Sequence, residues 1–160
     1  MSRTMTLCTR ARTPRILLAA LTTVLLVTAS SCGAAGVTRA RVEAAIGPTF
    51  ANLYSLQRYQ QGYPKVSGDK IPSKATCDKG GAAQPDEGPG NDWICTIVWQ
   101  VAGPGTSATA VYNLHIQTTG CYSADGDSPP AINGQQMLDS FDGTPFLNPL
   151  WEFEGCFDNG

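Results

Sequence analysis

The sequence predicts an α+β fold: an N-terminal helix, kinked near its middle, packed on a small antiparallel β-sheet with two disulfides. Three observations carry this. Apolar residues recur at helical spacing over roughly 38–59. Two later stretches alternate apolar and polar residues with period two, on either side of Gly103-Pro104-Gly105-Thr106. Finally, Cys77, Cys95, Cys121 and Cys156 form an even set behind an export signal.

The helix comes first. Thr38 is a suitable N-cap, and Val42, Ala45 and Ile46 then fall on one face. Gly47-Pro48 interrupts the pattern, because proline has no amide hydrogen to donate and its ring crowds the carbonyl of Ala44. Phe50, Leu53, Tyr54 and Gln57 resume it. A helix kinked or broken at 47–48 is expected, with its apolar stripe in the core.

Residues 60–92 are rich in Gly, Pro and Lys, with Cys77 near the middle, and their order is expected to depend on the bridge that Cys77 makes. A strand follows over 93–101, with Trp93, Cys95, Ile97, Trp99 and Val101 on one face. The next, over 108–118, places Ala110, Tyr112, Leu114 and Ile116 inward and Asn113, His115 and Gln117 outward. Together they form a hairpin with one buried and one wet face. Loop is expected over 123–134 and a short helix over 135–141. A last strand near 149–157 puts Trp151, Phe153 and Phe157 inside and Glu152, Glu154 and Cys156 outside.

Four cysteines allow three pairings. If alternation continues past residue 118, Cys121 lies on the polar face, as Cys156 does on its own strand, while Cys95 faces the core. Sequential pairing, Cys77–Cys95 and Cys121–Cys156, is the simplest outcome. Each such loop would contribute roughly 3–4 kcal/mol in the chain-entropy treatment.

The first 31 residues read as a targeting segment. Arg3, Arg10, Arg12 and Arg15 stand with no acid before the uncharged apolar run 16–27. That run is too short to span a bilayer, which takes about 20 residues, and it has the length of a signal core. At Ala29-Ser30-Ser31-Cys32 the chain resembles the lipobox of bacterial lipoproteins. The resemblance implies a diacylglycerol on Cys32 and cleavage before it, with Ala29 standing where leucine is commonest. Plain signal-peptidase cleavage is the competing reading, since Ala29 and Ser31 also suit it. Lipidation accounts for Cys32, which would otherwise be a fifth, unpaired thiol in an oxidising compartment. The expected organisation is signal peptide 1–31, short lipidated tether 32–37 and a single exported domain 38–160, on the outer face of the cell membrane. The Ala, Gly, Thr and Pro usage resembles that of exported actinobacterial proteins, which locates no function.

Charge narrows the partners. Residues 32–160 carry seven bases and thirteen acids, a net charge of −6, and all seven bases precede residue 80. Nucleic-acid binding, which needs a basic face, is not expected. Residues 33–37 reach at most about 17 Å, so Arg39 and Arg41 should lie next to the membrane. The acidic remainder should point away from it, toward a basic partner or divalent cations.

No catalytic grouping stands out. The only histidine is His115, on the wet face of a strand with no nucleophile elbow nearby, and a surface histidine is the simpler reading. The cysteines lack metal-ligand spacing, and Asp125-Gly126-Asp127 lacks the further ligands a calcium loop needs. Neither metal nor cofactor is expected. Glu152 and Glu154 could serve as acid and base, but on one strand face they read more simply as solubilising charge. Trp93, Trp99 and Tyr112 could line a ligand groove, although their shared parity with Ile97 and Leu114 places them in the core. The leading expectation is a non-catalytic, membrane-anchored envelope module that binds a protein or ligand. An extracytoplasmic protease inhibitor acting through 80–92 or 123–134 is the alternative, and a hydrolase using His115 or Glu152/Glu154 a minor one.

Overall fold

Helix α1 spans Arg39–Gln60 without interruption in a computed structural model that describes residues 36–101 and 105–157. Cys32, the signal segment and most of the tether lie outside those residues. Thr38 occupies the N-cap, and its carbonyl accepts from the amides of Arg41 and Val42. Pro48 does not break the helix, and its surroundings explain why. Both Pro48 and Ala44 face solvent, so the carbonyl that proline leaves unpaired lies on the exposed side. One residue on, the Thr49 hydroxyl donates to the Ala45 carbonyl at 2.9 Å.

The sheet is five-stranded and antiparallel. In chain order its first four strands are β1 (Ser73–Lys79), β2 (Gly90–Gln100), β3 (Ser107–Ile116) and β4 (Cys121–Gly126). A separate two-stranded hairpin follows, β5 (Met137–Asp139) with β6 (Pro145–Leu147). Strand β7 (Glu152–Cys156) then returns to pair with β4, giving the order β1-β2-β3-β4-β7. The α+β class and both disulfides are therefore as expected, Cys77–Cys95 and Cys121–Cys156.

Both bridges join directly opposed residues of neighbouring strands. The amides of Gln100 and Gly80 donate to Pro72 and Asp92 carbonyls, which fixes the alternation and makes Cys77 and Cys95 a non-hydrogen-bonded pair. Donation from Gly126 to Trp151 and from Phe157 to Gly120 does the same for Cys121 and Cys156. Such pairs bring Cα atoms closest; here they stand 4.1 and 3.9 Å apart.

One strand lies where the sequence assigned no element, and two expectations are corrected. The segment 60–92 contains β1, whose short inward side chains Ala75 and Cys77 give little hydrophobic signal. The segment 123–134, expected as loop, begins as strand β4 to Gly126 and ends in a single π-helical turn, Pro130–Gly134. The helix expected over 135–141 is instead strand β5 and its turn. There Ser140 and Asp142 bond each other, Asp142 accepts from the Thr144 amide at 3.0 Å, and Gly143 adopts φ +81°. These bonds hold the Asp142 carboxyl below its usual pKa, the Ser140 hydroxyl most of all.

The core lies between α1 and one sheet face. Val42, Ile46, Phe50 and Tyr54 form the helix's buried stripe. Phe50 packs 4.7 Å from Trp99, Tyr54 5.3 Å from Trp99, and Tyr112 5.1 Å from Phe153, centroid to centroid. Trp93, Trp99 and Tyr112 are each at most 1% exposed, so they form core and not a groove. Trp151 is only half-buried, unlike its inward neighbour Phe153. A Cβ at Gly155 would meet the Tyr122 hydroxyl oxygen at 2.5 Å, so glycine here lets that ring cross β7.

Candidate functional site

With α1 on one face of the sheet, the other face carries the outward residues. Register fixes their rows. Ile94, Asn113, Asp125 and Glu152 are successive cross-strand neighbours, as are His115, Ser123 and Glu154. Ile94 and Val98 are exposed near the basic edge, and Asp125, Glu152 and Glu154 along the opposite one.

The row His115–Ser123–Glu154 has the residue types of a hydrolytic triad but not its order. A triad needs histidine between nucleophile and acid, so that one ring nitrogen takes the proton while the other is held. Here serine stands between them, and His115 and Glu154 are two strand spacings apart, about 10 Å. No hydrogen bond joins the three among the described residues. Glu152 and Glu154 project side by side from one strand and so do not flank a bond placed between them. Among the described residues, no three His, Cys, Asp or Glu side chains converge as a metal site. Asp127 instead accepts from the Asn113 side chain at 3.5 Å.

The two edges of the sheet differ. Along β1, the Cys77 amide donates to Glu43 Oε1 at 3.0 Å and the Lys79 amide to Asp86 Oδ1 at 2.7 Å. Carboxylates from α1 and from the 80–89 segment thus occupy that edge, a common defence against strand pairing. Along β7, the amides and carbonyls of Glu152 and Glu154 point away from β4, because Trp151 and Phe157 face it. Among the described residues nothing pairs with them. Beside this edge runs a groove of about 400 Å³, lined by Gln136, Leu147, Asn148, Trp151, Phe153 and the two glutamates.

The groove's far wall is held by a buried amide network. Gln57 Nε2 donates to the Ile132 carbonyl and to Asn148 Oδ1, both at 2.8 Å. Asn148 Nδ2 donates to the Ile132 and Gln135 carbonyls, and Asn148 Oδ1 accepts from the Leu150 amide at 3.0 Å. Asn133 Nδ2 reaches the Val111 carbonyl at 2.8 Å. Tyr112 donates to the Leu150 carbonyl at 3.0 Å, and burial raises its phenol above the ordinary value, so it stays a neutral donor. Sequence reasoning missed this network because polar side chains are ordinarily assigned to the surface.

The two arginines that open α1 are engaged. Arg39 pairs with Asp86 at 2.5 Å, and Arg41 lies 5.7 Å from the Phe157 ring centroid and donates to the Gly36 carbonyl. Lys79 Nζ donates to the Glu87 and Pro89 carbonyls. Bases and acids therefore mix where α1 begins, whereas on the open face Lys74 of β1 and the glutamates of β7 stand at opposite edges. The 80–89 segment is not a free loop. Asp86 and Gly88 tie its backbone to Arg39 and Val37. No described helix is long and apolar enough to cross a membrane. No family model, curated protein or solved structure matches the chain.

Proposed function

We propose that this chain is an exported lipoprotein, anchored by lipid on Cys32, whose domain is a non-catalytic binding module of the cell envelope. One observation supports it best. The solvent side of α1 carries Ala44, Pro48, Asn52, Leu56 and Tyr59, and the helix has no charge from Ala44 to Gln57. A solvated helix face ordinarily carries charge. This one begins close behind Cys32 and is flanked by Arg39 and Arg41 at one end and by Arg58, Lys65 and Lys70 at the other. Leu56, Tyr59, Tyr63 and Val66 are all exposed there, between 45% and 54%. Tyrosines and aliphatic residues ringed by bases suit an anionic lipid interface. On this reading the helix lies along the membrane and the acidic β7 edge faces away from it.

Cys32→Ser should abolish fatty-acid labelling and release the protein from the membrane or leave it uncleaved. Equal fractionation of mutant and wild type with membranes would disprove the anchor. The docking face has its own readout. The Cys32→Ser protein should bind phosphatidylglycerol vesicles and lose that binding with salt. Lys65→Ala with Lys70→Ala should weaken it by roughly thirtyfold, at about 1 kcal/mol per base near an anionic surface. Equal binding to phosphatidylcholine vesicles would rule out the electrostatic part.

A further inference from the structure

We infer that the outer edge of β7 is a binding site for an extended, basic polypeptide segment, which adds to the sheet as a sixth strand. The inference rests on the binding-module reading and names its ligand class. Glu152 and Glu154 each present an amide and a carbonyl outward with no partner among the described residues, so each can exchange hydrogen bonds with one residue of an incoming strand. The opposite edge is less open, because Glu43 and Asp86 already take the Cys77 and Lys79 amides.

Side-chain alternation sets the ligand's pattern. Residues opposite Glu152 and Glu154 fall on the open face, beside those two carboxylates. Asp125 is directly opposed to Glu152 across β4 and β7, and no Lys or Arg occurs anywhere from residue 80 onward. Like charges in direct opposition repel, and a base from the new strand relieves them. The ligand residue between the two bases turns to the other face, opposite Phe153, where Leu147 and Trp151 line the groove. The site therefore reads base–apolar–base along an extended backbone. A second copy of this chain does not fit. Antiparallel pairing of two β7 edges about Phe153 sets Glu152 against Glu154 twice, with no base to offset them.

The test uses the full chain in detergent and two fluorescent peptides of equal composition. One has the core Lys-Val-Lys-Val-Lys; the other groups the same residues in blocks. The alternating peptide should bind saturably, at least tenfold more tightly than the block peptide, and N-methylation of its backbone should abolish binding. Glu152→Gln with Glu154→Gln, which leaves the strand's backbone untouched, should weaken it at least tenfold. Glu154→Pro, which removes the outward amide hydrogen as well as the carboxylate, should weaken binding further than Glu154→Gln alone does, in a protein with unchanged thermal stability. Equal affinity for both peptides, no binding at all, or a dimer by sedimentation that Glu154→Pro dissolves would each overturn the inference. Loss of the lipid anchor leaves the peptide result unaltered, so failure of the anchoring reading is told apart.

Discussion

Asn148→Leu should cost about 3–5 kcal/mol of folding stability, more than most single substitutions. Asn148 is 1% exposed and joins four groups: Gln57 Nε2, the Leu150 amide, and the carbonyls of Ile132 and Gln135. Leucine matches its size but offers neither donor nor acceptor. Ile132 keeps its bond from Gln57, while the Gln135 carbonyl and the buried Leu150 amide lose theirs. Each buried polar group left unpaired costs about 1–3 kcal/mol. Urea unfolding should show a lower midpoint with an unchanged slope. Asn113→Leu, at an exposed position on the open sheet face, should change stability by less than about 0.5 kcal/mol. A loss under about 1 kcal/mol for Asn148→Leu would mean that the network does not hold the 130–150 segment in place.

The parts of this molecule that were legible from sequence are those where large side chains alternate. Trp93, Cys95, Ile97 and Trp99 face Tyr112 and Leu114 across the sheet, and size and parity together announce the β2–β3 hairpin. Strand β1 hides because Ala75 and Cys77 are small, and α1 supplies the bulk above them. The β5–β6 hairpin did leave a signal, Asp142-Gly143 between two short apolar runs, which favours a tight turn. Helical spacing from Gln135 to Phe141 obscured it, yet Phe141 is 78% exposed and lies outside the core.

The candidate site was legible only in pieces. Glu152 and Glu154 were visible as outward neighbours on one strand. That this strand is an edge depends on the chain passing through β5 and β6 before returning beside β4, and no local pattern records that detour. Asn148 meets Gln57 across 91 positions, so the groove wall likewise follows from topology and not from spacing.

The two disulfides should differ in both accessibility and consequence. Cys77 and Cys95 are fully buried, whereas Cys156 is exposed and Cys121 partly so. A mild thiol reductant should therefore open Cys121–Cys156 first, leaving Cys77–Cys95 until the domain unfolds. Their sequence separations are 18 and 35 residues. Chain entropy then assigns about 3 kcal/mol to the first bridge and about 4 kcal/mol to the second. For Cys77→Ala with Cys95→Ala, loss of two buried sulfurs from the centre of the β1–β2 pairing adds a cavity cost to the entropy. The total should reach about 4–6 kcal/mol, close to the whole stability of a typical domain. Cys121→Ser with Cys156→Ser removes no core volume and should cost about 4 kcal/mol at most. Its effect should concentrate where β7 meets β4, as faster amide exchange in Tyr122, Ala124 and Phe153, whose hydrogen bonds bind those strands. Stepwise reduction followed by alkylation and peptide mapping gives the order directly. If Cys77 and Cys95 are alkylated before Cys121 and Cys156, the buried bridge is not protected by the packing of α1 against β1.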